Sequence, residues 1–310
     1  MRFIVKVCDY RRSEIIIYFS YFCSHILLHF LQGIFMAKKK ILIVTQEMKP
    51  YTAISLVSDI VADLPKEVQA KGFEARILMP RYGTINERRY RLHEVVRLSG
   101  MNIIVDDDDY PLIIKVASLP GARLQVYFLD NEDFFKRKHV FKDAKDNLFE
   151  DNVDRMVFFS KGVIETVRKF GWPPDIVHCH GMMSSLVPLY LRKAYNNDPL
   201  FAQSKIVYSA YDYEADDTFV ENFRDKALIA HLEEEELDNY FVDGQLNLNQ
   251  GAARHSDGVI NINEAIDNDL LEGDVSENII DQEVNDDTDI VFDRYFELYN
   301  KLLGSSDEEE

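Results

Sequence analysis

The stretch Gly171–Leu191, GWPPDIVHCHGMMSSLVPLYL, decides how the rest of the chain is read. Trp172-Pro173-Pro174 cannot continue a helix, so the helix arriving from the N-terminal side ends near Phe170 and Gly171. Asp175-Ile176-Val177-His178 reads as a short buried strand, Gly181 as the turn, and Met183 to Tyr190 as the opening of the next helix. Helix, strand, tight turn, helix is the order of an open α/β sheet, whose ligands sit at the carboxyl ends of its strands. His180 stands at that end and is the residue most exposed to a ligand on this reading.

Working outward, Ile41 to Thr45 is a continuous apolar run, the mark of a central parallel strand. A helix from Ile54 to Ala70 comes next, with Ile54, Val57, Ile60, Val61, Leu64 and Val68 on one face and a kink or split expected at Pro65. Ala75 to Met79 is the second strand. This βαβ opening is of Rossmann type but lacks G-x-G-x-x-G, so it does not read as a dinucleotide site. Val95 to Val105 and Leu112 to Ala117 read as paired strands joined through Asp106 to Asp109. That acidic run lacks the spacing and glycine of a calcium loop and reads as a hairpin tip. Leu124 to Leu129, Lys205 to Tyr208 and Gly258 to Asn261 add strands. A long helix spans Asn147 to Phe170, with shorter helices near 245–256 and 263–271.

The expected organisation is a Rossmann-like, doubly wound α/β domain over 36–271, with a mainly parallel sheet. A flexible acidic linker comes after it over 272–288, then an amphipathic helix over 289–303 packing back, and a disordered acidic tail over 304–310. Residues 1–35 differ: Ile15 to Phe35 is an uncharged apolar run. Translation starting at Met36 is the simpler expectation, with a membrane anchor or an ordered extension as alternatives.

The net charge of -19 is uneven: residues 1–210 hold 30 basic and 24 acidic side chains, residues 211–310 hold 5 and 30. Such an acidic block argues against a nucleic-acid partner. Three cysteines, of which only Cys179 lies beyond the leader, exclude a disulfide scaffold and suit a reducing cytoplasm.

His178 and His180 alternate along a strand and face one side, but no further His or Cys gathers near them to complete a metal site. His178 reads as a hydrogen-bonded core histidine, His180 as functional. Glu47, at the end of the first strand, stands where a catalytic or binding carboxylate would. Tyr208, Tyr211 and Tyr213 come after a strand and either line a sugar pocket or form a surface cluster. The arginines between Arg81 and Arg97 read as a solvated surface, with an anion site as the alternative.

At these residues the chain resembles the N-terminal catalytic domain of bacterial glycogen synthases and starch synthases. That family opens S-E-M-x-P-x-x-K-x-G-G-L-x-D-V-x-x-x-L-P. Here Gln46-Glu47-Met48-Lys49-Pro50 leads to Asp59-Ile60 and Leu64-Pro65. Val126 to Asp130 resembles V-Y-F-I-D, and Phe134 to Arg137 its Y-F-x-R continuation. Asp151-Asn152-Val153-Asp154-Arg155 resembles D-N-x-x-R, and Asp175 to His180 resembles D-V-V-H-A-H. Gly244 to Asn247 and Ser256 to Val259 resemble G-x-x-N and A-D-x-V, so the likeness runs from Lys40 to about Asp269.

The resemblance implies one half of a GT-B fold and transfer of glucose from ADP-glucose to an α-1,4-glucan, without metal or other cofactor. It places Asp59, Asp151, His180 and Asn247 on one cleft, the first three as catalytic and Asn247 as substrate-binding; Glu47 and Tyr211 join Asn247 as substrate-binding candidates on the reading of their own positions. It also carries departures. The K-x-G-G-L positions are Ala53, Ile54, Ser55, Leu56 and Val57, and the family's H-N pair is Tyr211-Asp212. The second, nucleotide-binding domain is expected from a partner chain. The alternative is a catalytically silent relative that binds or regulates glucan synthesis.

Overall fold

The computed structural model describes residues 38–283 and 288–304. The leader at 1–35, residues 284–287 of the expected linker and the tail from 305 onward lie outside the described residues. The strands and helices all belong to the unit that begins at Lys39.

Ten strands form one sheet. They are β1 (Lys40–Thr45), β2 (Glu74–Pro80), β3 (His93–Glu94), β4 (Met101–Val105), β5 (Asp108–Ser118), β6 (Gln125–Asp130), β7 (Ile176–His180), β8 (Lys205–Ala210), β9 (Gly258–Ile262) and β10 (Ile279–Gln282). Their spatial order is β10-β9-β8-β7-β1-β2-β6-β5-β3, with β4 paired to β5. From β10 to β6 every pairing is parallel; β5 runs antiparallel to β6, and β3 and β4 antiparallel to β5. Ile41, Leu42, Ile43 and Val44 are wholly buried, as a strand covered on both faces requires.

Besides two single-turn helices at Glu87–Tyr90 and Glu132–Phe135, the helices are α1 (Val57–Ala70), α2 (Asn152–Phe170), α3 (Leu186–Arg192), α4 (Asp217–Ala227), α5 (Leu248–Arg254) and α6 (Thr288–Leu302). The crossover from β1 through α1 to β2 moves one way along the sheet, and that from β6 through α2 to β7 moves back. Right-handed crossovers therefore put α1 and α2 on opposite faces. The doubly wound α/β architecture expected from the sequence is thus the one observed. Gly171 ends α2 in the left-handed conformation at φ 59°.

Five local expectations change, the first being that the strand expected over Val95 to Val105 is confined to Met101–Val105. Pro65 leaves α1 unbroken, held by the burial of Val61, Leu64, Pro65 and Val68 on one face. The helix expected over 263–271 gives way to a turn and a 3-10 segment at Asn268–Leu270, because Asn263 and Glu264 both take positive φ. The stretch at 272–288 is not all linker: Gly273–Glu277 is a 3-10 turn, and β10 extends the sheet beside β9. An edge strand needs only one covered face, so its polar composition disguised it. Finally, α4 was not foreseen; only Phe219, Phe223 and Ala227, four apart, are buried on it.

Helix α6 lies against the domain. Tyr295 and Tyr299 are wholly buried, Phe296 stacks on Phe73 at 6.1 Å, and Lys71 Nζ is 2.7 Å from the Asp293 carboxylate.

Candidate functional site

Strand order reverses between β1 and β7, so the crevice for a ligand lies outside their carboxyl ends. Three loops meet there. The Gln46 N–H donates to the His180 carbonyl and the Gly181 N–H to the Ser209 carbonyl, each at 3.4 Å, joining the ends of β1, β7 and β8. Gly181 has φ 79°, and a Cβ there would stand 2.6 Å from the Gln46 side chain, so only glycine fits the turn.

Above these loops is a crevice of about 630 Å³. Gln46, Ile54, Ser55 and Met182 form one side, Asp212, Tyr213 and Glu214 another, and residues 138–148 the third. That third wall is a short hairpin. The Phe149 N–H donates to the Phe141 carbonyl at 3.0 Å and the Asp143 N–H to the Asn147 carbonyl at 2.8 Å. The Asp143 carboxylate accepts from the N–H groups of Lys145 and Asn147 at the tip. Lys142 Nζ reaches across the opening to Glu214 at 2.6 Å.

Under the crevice is a buried polar network. His178 bonds the Tyr299 hydroxyl through Nδ1 at 2.6 Å and the Ser209 hydroxyl through Nε2 at 2.8 Å, a satisfied core histidine. His180, also wholly buried, bonds the Tyr211 hydroxyl through Nδ1 at 3.0 Å, and its Nε2 has no partner. Burial pushes His180 down to about 3, so its ring is neutral at physiological pH. Burial, and then the nearby His180 ring, lower His178 as well.

Of the six candidate residues, Glu47, His180 and Tyr211 come together. Glu47 is wholly buried, and its carboxylate accepts from the Ile54 N–H, the Ser55 N–H at 3.1 Å and the Ser55 hydroxyl at 2.5 Å. It is close enough to contribute to the upward shift of Tyr211, whose main cause is burial. The other three stand apart. Asp59 is exposed on the first turn of α1 and paired with Lys49. Asp151 makes a bidentate pair with Arg137 and lines a separate cavity of about 330 Å³ with Asp154 and Lys226. Asn247 caps α5, accepting from the Gln250 N–H at 2.9 Å, and borders a third cavity of about 620 Å³.

No one of these cavities gathers Asp59, Asp151, His180 and Asn247, and His180 lines none of the three. Sequence spacing placed each at an element end without saying which way each end opens. Tyr208 is core, donating to Asn249 at 2.8 Å, whereas Tyr213 lines the crevice. The hairpin wall was missed, since its mixed charges read as plain loop. Among the described residues no group of three or more His, Cys, Asp or Glu is placed to hold a metal ion. None of their helices is long and apolar enough to cross a membrane.

Fold and crevice together define a Rossmann-like α/β domain with a crevice at its topological switch point. The starch synthase catalytic domain model matches residues 40–281, and the chain belongs to that family. It is 42% identical over 174 residues to a glycogen synthase of Chlorobium phaeobacteroides, covering 56% of this chain and 36% of that protein. It is 36% identical over 235 residues to a glycogen synthase of Chlorobaculum tepidum, covering 75% and 47%. The chain thus spans less than half the length of these relatives. In fold it is similar to the catalytic domain of starch synthase IV from Arabidopsis thaliana bound to ADP and acarbose. That match has a TM-score of 0.61 at 20% identity and covers 73% of this chain and 45% of the other.

Proposed function

We propose that this chain is the acceptor-side half of a glucosyltransferase that passes glucose from ADP-glucose to an α-1,4-glucan. The observation that carries the reading is the crevice at the ends of β1, β7 and β8; His180, wholly buried at the end of β7 with its Nε2 unpartnered, is not in its lining. Tyr213 and Phe141 offer apolar faces, and Asp143, Asp146, Asp212 and Glu214 offer acceptors for hydroxyl groups. That mixture suits a neutral sugar chain, and the family and fold likeness supply the reaction. A neutral His180 would donate or accept at the glucosyl group as charge develops there.

Glu47 favours a second reading, glucan binding without transfer. Its carboxylate already takes the Ile54 and Ser55 N–H groups, which lie where the family's glycine loop approaches phosphate. Four acids against Lys138 and Lys142 in the crevice lining also repel a diphosphate. The test is to incubate purified protein with ADP-glucose and glycogen and to measure ADP release. Turnover that is lost in a folded His180→Ala variant supports transfer. Glycogen binding at micromolar level with no turnover supports the second reading. Absence of both turnover and binding removes both readings.

A further inference from the structure

An arginine sits inside this domain with no ion pair among the described residues, though the Asp151 carboxylate acts on it from further off. Arg155, on the first turns of α2, is wholly buried. Its Nη1 donates to Asn152 Oδ1 at 2.7 Å, while Nε and Nη2 have no hydrogen-bond partner. The rings of Phe135 and Phe149 lie 5.5 Å from the guanidinium, and that of Tyr82 lies 6.0 Å away. Burying a charge in this way is costly, and aromatic faces recover only part of the cost. Burial lowers Arg155 to about 10, which leaves it charged at neutral pH.

What the charge touches indicates its use. Asn152, polarised by Arg155 through Oδ1, donates from Nδ2 to the Phe141 carbonyl at 2.9 Å. That carbonyl also takes the Phe149 N–H and so closes the base of the hairpin. Phe149, on the other side of the base, lies between two cations, with Arg137 4.7 Å from its ring and Arg155 at 5.5 Å. Both strands of the hairpin are therefore fastened to one buried guanidinium, one through Asn152 and one through an aromatic face. Towards the tip the Lys142 pair with the largely exposed Glu214 ties the hairpin across the crevice, and it holds weakly in water.

We propose that Arg155 is a positioning residue: through Asn152 and Phe149 it fixes the hairpin of residues 141–149 as a wall of the crevice, and so sets the affinity for a glucan chain. The clause about affinity rests on the function proposed above; the clause about the hairpin does not.

Two readouts separate them: hydrogen exchange of the amides from Phe141 to Phe149, and binding of maltoheptaose by calorimetry. Arg155→Met is expected to speed exchange in the hairpin about tenfold, the loss of one charge-assisted hydrogen bond. It should weaken maltoheptaose by a similar factor, and strand amides of β1 and β7 should stay protected. Val163→Ala, a cavity in the same helix away from the hairpin, should leave both readouts unchanged. Should Arg155→Met not fold, Asn152→Ala removes the relay alone and is held to the same expectation. Unchanged hairpin exchange in the folded variant overturns the proposal. So does equal loosening by Val163→Ala, which would mark Arg155 as ordinary core. If the unaltered protein does not bind maltoheptaose, the proposed function fails while the exchange result still decides the brace.

Discussion

Beneath the crevice, His178, His180, Ser209, Tyr295 and Tyr299 are wholly buried; His178 bonds the hydroxyls of Tyr299 and Ser209, and the His180 ring lies 3.9 Å from that of His178. Across from them, the hairpin of residues 141–149 keeps its tip in water and is fastened mainly at its base, with the Lys142–Glu214 pair as a further tie. The floor uses long-range partners: Tyr299 comes from α6, 121 residues beyond His178. The hairpin uses near ones, with Asn152 only 11 residues from Phe141. A site built this way has one side that cannot move without unfolding and one side that can.

The largest effect that would break this comparison is on the floor. Tyr299→Ala removes a wholly buried ring and the partner of His178 Nδ1. It should cost about 3–5 kcal/mol of stability in urea unfolding. A loss under about 1 kcal/mol would mean that α6 is not part of the floor.

Next is acid. His180 in the folded protein is lowered to about 3 against an ordinary 6.5, so between those values the unfolded chain binds more protons. The stabilising contribution is full above pH 6.5 and is lost as pH falls through that window, by about 2 kcal/mol between pH 7 and pH 5. His178 is shifted the same way and adds to the slope. Unfolding curves at the two pH values test this. His180→Gln should flatten the dependence, and an unflattened slope would assign the acid sensitivity elsewhere.

Tyr211→Phe is smaller. It leaves the ring in place and strips His180 of its hydrogen bond through Nδ1, at a cost of about 1–3 kcal/mol. If the floor positions His180 for transfer, ADP release should fall further than glycogen binding does. Equal falls in both would make Tyr211 a packing residue only.

How much of this was legible in the sequence divides the same way. The apolar runs of β1 and β7 and the stretch from Gly171 to Leu191 fixed the architecture, because buried parallel strands carry their own signal. His178 as core and His180 as the odd histidine were also readable from their place on one strand. What could not be read was direction. Asp59 and Asp151 stand in motifs that suggest a shared cleft, yet each turns to a neighbouring cation, Lys49 or Arg137. Nor did any local pattern say that α6 would deliver Tyr299 to His178. The hairpin was invisible for a further reason: its charged side chains look like solvated loop, and its anchor is a polar pair, Asn152 and Arg155, on the apolar face of α2. A buried arginine on a helix face otherwise made of Val153, Met156, Phe159 and Val163 was the available signal.

The smallest expected effect tests the wall at its tip. Lys142 and Glu214 close the crevice mouth, but the Glu214 side chain is 72% exposed, so the pair is screened by water and salt. Glu214→Gln should leave the melting temperature unchanged within about one degree while speeding hairpin amide exchange about two- to threefold. Raising sodium chloride to about 0.5 M should do the same to the unaltered protein and nothing further to the variant. A variant that melts markedly lower would show the tip to be fastened as firmly as the floor, and the crevice would then have no movable side. Exchange that stays slow in both would place all the restraint at Asn152 and Arg155, and it would make the base of the hairpin the one point from which its position is controlled.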